Sequence, residues 1–163
     1  MKFPKNFSYV EMVRSDTAQR MNWDNTPNRQ QRQNLIKTAR FLQELRDKLS
    51  ESRGKDTPIR VTSGFRSEVL NKAISGAPKS AHMDGLAADI VVVGMSAEEL
   101  ARFISENMEN YDTVIHEFGR WVHVNLSSGN PRGRLLTAHR DPVRGGVQYV
   151  RGIHSVDNGR LVV

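Results

Sequence analysis

The run from Ala87 to Val93, Ala-Ala-Asp-Ile-Val-Val-Val, constrains this chain more than any other segment. A short, continuous apolar run rich in β-branched residues reads as a strand buried in a sheet. Asp89 stands inside it. A carboxylate within an apolar strand is costly unless it is paired or bound to a metal. Any fold for this chain must therefore bring it a partner.

The chain has 163 residues, which fits one domain spanning 1–163. A domain of that size buries roughly 70% of the surface its unfolded chain exposes, so a core needs no covalent staples. There is no cysteine. That excludes a disulfide framework, a thiol nucleophile and a Cys-ligated metal. No apolar run approaches the ~20 residues that span a bilayer, so no membrane insertion is expected. The first sixteen residues, MKFPKNFSYVEMVRSD, start basic but lack an apolar stretch, so a standard secretory signal is not expected.

Charge is uneven. Residues 1–60 carry 13 basic and 7 acidic side chains, residues 61–126 carry 5 and 9, and residues 127–163 carry 6 and 2. An acidic centre between basic flanks fits a cation site on a body drawn to polyanions, or simply a solvated surface. With 7% aromatic residues and no recognisable nucleic-acid motif, no specific nucleic-acid partner is expected.

Residues 1–30 read as a polar, irregular arm packed on the body through Phe3, Phe7, Tyr9, Met12, Met21 and Trp23. Residues 29–52 read as a helix, because Leu35, Ala39, Leu42, Leu45 and Leu49 form one stripe, with Gly54 as its stop. A short strand starts at Ile59 and ends at Thr62-Ser-Gly-Phe-Arg-Ser67. One or two helical turns follow over Ser67–Ile74, with Val69, Leu70 and Ala73 facing inward. Ser96-Ala-Glu-Glu99 is a capping box; the helix it opens turns Leu100, Phe103, Ile104 and Met108 inward. Thr113–Glu117 and Trp121–Leu126 form a hairpin around Phe118-Gly-Arg120. The basic C-terminal region, 127–163, offers Leu135–His139, Val147–Val150 and Arg160–Val163 as strands. Helices and strands do not alternate, which predicts an α+β fold with a mainly antiparallel sheet.

Two of the five histidines sit in unusual company. His82 lies in Ser-Ala-His-Met-Asp-Gly just before the buried strand, and His123 lies in the strand-like Trp-Val-His-Val. Each polar residue singly is explained by an ordinary core hydrogen bond. Together, His82, Asp89 and His123 make a good zinc set, two imidazoles and a carboxylate with a fourth position for water. Zinc lowers the pKa of such a water toward neutrality and makes it a nucleophile. A three-residue turn places Glu117 opposite Trp121, on one side of the ribbon with His123, as a candidate base. A two-residue turn would slip the register and set His116 opposite His123 instead. Arg66, just past a strand end, is the candidate anion clamp. Ser63 and Ser80 are nearby hydroxyls.

These three segments, Thr-Ser-Gly-Phe-Arg-Ser, Ser-Ala-His-Met-Asp-Gly-Leu-Ala-Ala-Asp-Ile and His-Glu-Phe-Gly-Arg-Trp-Val-His-Val, resemble the zinc D,D-peptidase family. That family contains D-alanyl-D-alanine carboxypeptidases, dipeptidases and phage endolysins. The likeness is strongest to its compact phage and prophage subgroup. It covers residues 59–126, through Ser80-x-His82 and Gly85-x-Ala87-x-Asp89, and more loosely Glu11-Met12 and Ser15-Asp-Thr17. It implies the small fold of the hedgehog-like zinc peptidases and one Zn2+ per chain on His82, Asp89 and His123. It also implies Arg66 in a catalytic and substrate-binding role and Ser80 in substrate binding. The position three before the last histidine, often acidic in the family, is Arg120, which is no base; the acid available is Glu117, six residues before, in a Glu-Phe-Gly-x-Trp-Val-His arrangement that resembles the phage-like subgroup.

The expected function is a zinc metallopeptidase acting on peptidoglycan peptides, as a D,D-carboxypeptidase or an endolysin-type endopeptidase, in a monomer. A phage chain of this kind would be made in the cytoplasm and reach the wall after holin-type release or inside the virion. The alternative is a zinc-stabilised module without catalysis, for binding or for the virion structure.

Overall fold

Residues 1–163 are described by a computed structural model. Its centre is a six-stranded sheet in the order β1-β2-β4-β3-β5-β6. The strands are β1 (Ile59–Ser63), β2 (Ala87–Val92), β3 (Thr113–Glu117), β4 (Trp121–Asn125), β5 (Arg134–Arg140) and β6 (Val147–Arg151). A small second sheet pairs β7 (Val156–Asp157) with β8 (Arg160–Leu161). Neighbouring strands of the main sheet are antiparallel except β3 and β5, which run parallel. The expected α+β class with a mainly antiparallel sheet is what forms, and no helix is long and apolar enough to cross a membrane.

The two faces of the sheet differ because side chains alternate along each strand. Ala88, Ile90, Val114, Val122 and Val124 point to one face and join the core. There they meet α3 (Arg29–Arg53) and α5 (Ala97–Asn107). Helix α3 buries the predicted stripe, and Gly54 ends it in the left-handed conformation that glycine adopts without cost. Helix α5 starts at the predicted Ser96–Glu99 capping box and buries Leu100, Ala101 and Ile104, with Phe103 only partly covered. The opposite face carries Asp89, His123 and Glu117.

Two local readings are corrected. The first thirty residues are not irregular: they form α1 (Tyr9–Val13) and α2 (Asp16–Met21). Ser8 and Ser15 cap them by accepting hydrogen bonds from the amides of Glu11 and Ala18. Phe7 and Met12 enter the core, whereas Met21 is exposed. In α4 (Glu68–Ala73) only Leu70 of the three expected residues is buried; Val69 and Ala73 face solvent. That helix is too short to present a full stripe, and Asn71 takes the remaining inward place.

Candidate metal centre and active site

Three separate pieces of chain bring the site together. Asp89 lies directly opposite His123 across the β2–β4 ladder, so both side chains stand on the same face. His82 comes from a 3-10 turn, Ala81–Asp84, laid over that face. Helix α3 holds this turn with a polar row beside its apolar stripe. The side-chain amides of Gln31 and Asn34 donate to the carbonyls of Met83 and Asp84, at 2.9 and 2.8 Å, and the Thr38 hydroxyl donates to the carbonyl of Gly85 at 2.9 Å. Gly85 closes the turn with φ +74, and a Cβ there would run into the backbone carbonyl of Gln31. The glycine of the Gly85-x-Ala87-x-Asp89 motif is thus required by both conformation and space.

A second glycine is equally constrained. A side chain on Gly64 would collide with the backbone of Met12. Helix α1 lies that close because the Phe65 amide donates to the Met12 carbonyl at 2.8 Å. Asn25 completes the brace: its amide nitrogen donates to the carbonyls of Val13 and Phe65, and its oxygen accepts from the Ser67 amide. The strand-to-helix bend carrying Arg66 is therefore pinned by the N-terminal helices.

The ring nitrogens face inward by necessity. His82 Nδ1 lies 2.7 Å from the Gly64 carbonyl oxygen. A carbonyl only accepts, so Nδ1 carries the proton and Nε2 is the lone-pair nitrogen of the neutral ring. His123 Nε2 lies 3.0 Å from Asn125 Oδ1 and donates to it, so Nδ1, 3.0 Å from Asp89 Oδ1, is the nitrogen that offers a lone pair once it carries no proton. His82 Nε2, His123 Nδ1 and Asp89 Oδ1 then form a triangle with edges of 3.3, 3.0 and 3.4 Å. Three such atoms that close are held together by a shared proton or by a metal cation. Zinc bonds of 2.0–2.1 Å in a tetrahedron place neighbouring ligand atoms roughly 3.3–3.4 Å apart. The donor set and its spacing fit that ion.

Charge in the site follows from the same contacts. Burial opposes ionisation of Asp89, yet in the metal-free protein a proton on the facing nitrogen of His123 or His82 overrides this and holds it well below the usual carboxylate range. Burial likewise opposes a proton on His123, and Asp89 reverses that and raises its pKa. Burial lowers the pKa of His82. The second carboxylate oxygen of Asp89 meets Arg66 Nη2 at 3.1 Å, and Arg66 Nε donates to Ser63 Oγ at 3.1 Å. Arg66 thus touches a proposed ligand directly. Ser80 caps the 3-10 turn by accepting from the His82 amide at 3.3 Å.

The β3–β4 register resolves the hairpin. Glu117 pairs with Trp121 and Ile115 with His123, as the three-residue turn requires. Glu117 therefore stands on the site face. His116 pairs with Val122 on the opposite face, where it is buried and its Nδ1 donates to the His154 carbonyl at 3.0 Å. Burial and the neighbouring Asp89 charge push Glu117 up to about 7. Trp121, whose buried indole N–H has no acceptor in bonding geometry, lies beside it and offsets only a little of that rise.

A cavity of about 640 Å³ adjoins the site at Ser63 and Arg66. Arg14 and Arg60 line it as well, with Phe65 and Leu70 as apolar walls.

Compared with protein-family models, residues 5–125 match peptidase M15. The chain belongs to the peptidase M15 family. A search of curated proteins finds no match. Membership makes the chain a peptidase of a zinc-dependent family, in line with the D,D-peptidase resemblance of its motifs. The M15 match takes in α1 and α2 and ends at Asn125, the last residue of β4, so β5 to β8 lie beyond it.

Sequence reasoning missed Asn25, Asn125 and the Gln31-Asn34-Thr38 row. The last carried a signal, since polar residues at helical spacing beside an apolar stripe mark a second contact face.

Proposed function

We propose that this chain is a zinc peptidase that hydrolyses peptide bonds of bacterial peptidoglycan, with His82, Asp89 and His123 holding one Zn2+. The observation that carries the reading is the triangle of three inward-facing ligand atoms, with a carboxylate of raised pKa on the same sheet face. When bound, zinc supplies Lewis acidity toward a carbonyl and a lowered pKa for water.

The remaining work falls to the chain itself. Glu117 takes a proton from the attacking water and returns it to the leaving amine. A pKa near neutrality suits both transfers. Arg66 binds a substrate carboxylate or the developing oxyanion, as planar guanidinium geometry favours. Ser80 offers a hydroxyl at the edge of the 3-10 turn for the substrate backbone. The cavity beside Arg66, with guanidinium groups from Arg14 and Arg60, accepts the acidic part of a wall peptide. The basic flanks draw the protein to the anionic wall, an attraction that salt screens. To act there the chain reaches the wall after holin-type release or carriage in a virion.

Mass spectrometry of defined muropeptides after incubation with zinc-loaded protein tests this reading. Cleavage at one peptide bond, abolished by chelation, is expected. Full zinc occupancy without cleavage of any muropeptide, across pH, would favour a zinc-stabilised module without catalysis.

A further inference from the structure

We propose that Asn125, braced by Asp112 and Arg132, is a positioning residue that locks the His123 ring with its Nδ1 lone pair turned to the metal position. The proposal rests on the reading of His82, Asp89 and His123 as zinc ligands, and it adds residues outside that set. Asn125 follows His123 by two positions in β4, so the two side chains share a face. Its amide can take only one orientation. The nitrogen has Asp112 Oδ2 and the Leu126 carbonyl as neighbours, each at 3.4 Å and each an acceptor only. The oxygen must then face His123 Nε2, at 3.0 Å. Nδ1 faces Asp89 Oδ1, also at 3.0 Å, so once a metal takes Nδ1 an oxygen at Nε2 matches the ring form protonated there.

The amide is held in turn by a carboxylate with several donors of its own. Asp112 is 4% exposed. Arg132 grips it with its backbone amide on Oδ1 at 3.1 Å, Nε at 3.0 and 3.2 Å from the two oxygens, and Nη2 on Oδ2 at 2.6 Å. The Thr113 hydroxyl adds a bond to Oδ2 at 3.1 Å. Arg132 lies beyond Asn125, where the M15 match ends. The C-terminal region therefore reaches the metal centre through one side-chain chain, from Arg132 to Asp112 to Asn125 to His123. Partners that orient a ligating histidine are worth about 10–100-fold in metal affinity.

The test pairs two readouts on the full chain. Zinc affinity is measured by chelator competition for the wild type, Asn125→Ala and Arg132→Gln. Imidazole nitrogen NMR on the zinc-loaded proteins reads which His123 nitrogen keeps its proton. The proposal expects the Nε2–H form in the wild type, a mixture of tautomers in Asn125→Ala, and zinc affinity there lower by about 10–100-fold. Arg132→Gln removes the side-chain clamp and leaves the residue-132 backbone amide and the Thr113 hydroxyl on Asp112, so it shows a smaller loss in the same direction. An unchanged tautomer and wild-type zinc affinity in folded Asn125→Ala would overturn the proposal; should that variant not fold, unchanged values in Arg132→Gln would do so. A wild type that binds no zinc overturns the ligand reading and this proposal with it, whereas normal zinc binding with the Nε2 proton unchanged in Asn125→Ala overturns the role of Asn125 alone.

Discussion

Asp89 and His123 face each other across adjacent antiparallel strands, with Oδ1 3.0 Å from Nδ1. The ladder, not a flexible loop, sets this distance. It gives an expensive buried carboxylate a partner, and it leaves the other carboxylate oxygen to Arg66.

That shared role makes Asp89→Asn doubly harmful. Zinc binding should be lost, and Arg66, with a side chain only 13% exposed, should be left with a desolvated charge. Removing one partner of a buried pair costs about 3–5 kcal/mol. Chemical denaturation of the metal-free protein measures this, and an unchanged midpoint would contradict it.

Glu117→Gln should retain zinc and lose turnover by about 10²–10⁴-fold, the usual worth of a positioned proton carrier. Stoichiometric zinc with undiminished turnover would assign the proton transfers to another group.

The raised pKa of Glu117 also predicts a stability effect with a definite sign. Burial, then Asp89, raise it from 4.5 to about 7, so folding favours the protonated group. That contribution is complete below pH 4.5 and is lost as pH rises through about 7. In the metal-free protein, Glu117→Gln should therefore be stabilising above about pH 7 and close to neutral below about pH 4.5, by an amount on the order of 1–3 kcal/mol. Thermal melts of both proteins across pH would show the gap open as pH increases. A gap that opens toward acid would be the wrong sign.

Gly85→Ala should destabilise the chain and loosen the metal site together. The left-handed conformation alone costs about 1–2 kcal/mol, before the clash with the Gln31 carbonyl is relieved. Because that clash pushes the His82 turn away from α3, zinc affinity should fall with stability. A stable variant with native affinity would contradict this account of the motif.

Much of this was legible before any coordinates. Asp89 in its apolar strand, the α3 stripe stopped by Gly54 and the Ser96–Glu99 cap are local signals, and local physics decides them; the hairpin after Glu117 was legible too, but its register stayed open until the strand pairing was seen. What stayed hidden depends on distant partners. Helices α1 and α2 are too short to announce themselves by periodicity, and Asn25 holds their end against residues forty positions away. The parallel pairing of β3 with β5 joins strands that are not neighbours in the chain. Arg132 reads as one more basic tail residue until Asp112 is seen beneath it.

The most direct measurement is zinc content by elemental analysis after loading and desalting, for the wild type and for His82→Ala, Asp89→Ala and His123→Ala. One zinc per chain in the wild type, and loss in each folded variant, is the predicted result. A wild type indifferent to zinc, or variants that keep full occupancy, would contradict the assignment of these three side chains to a single ion.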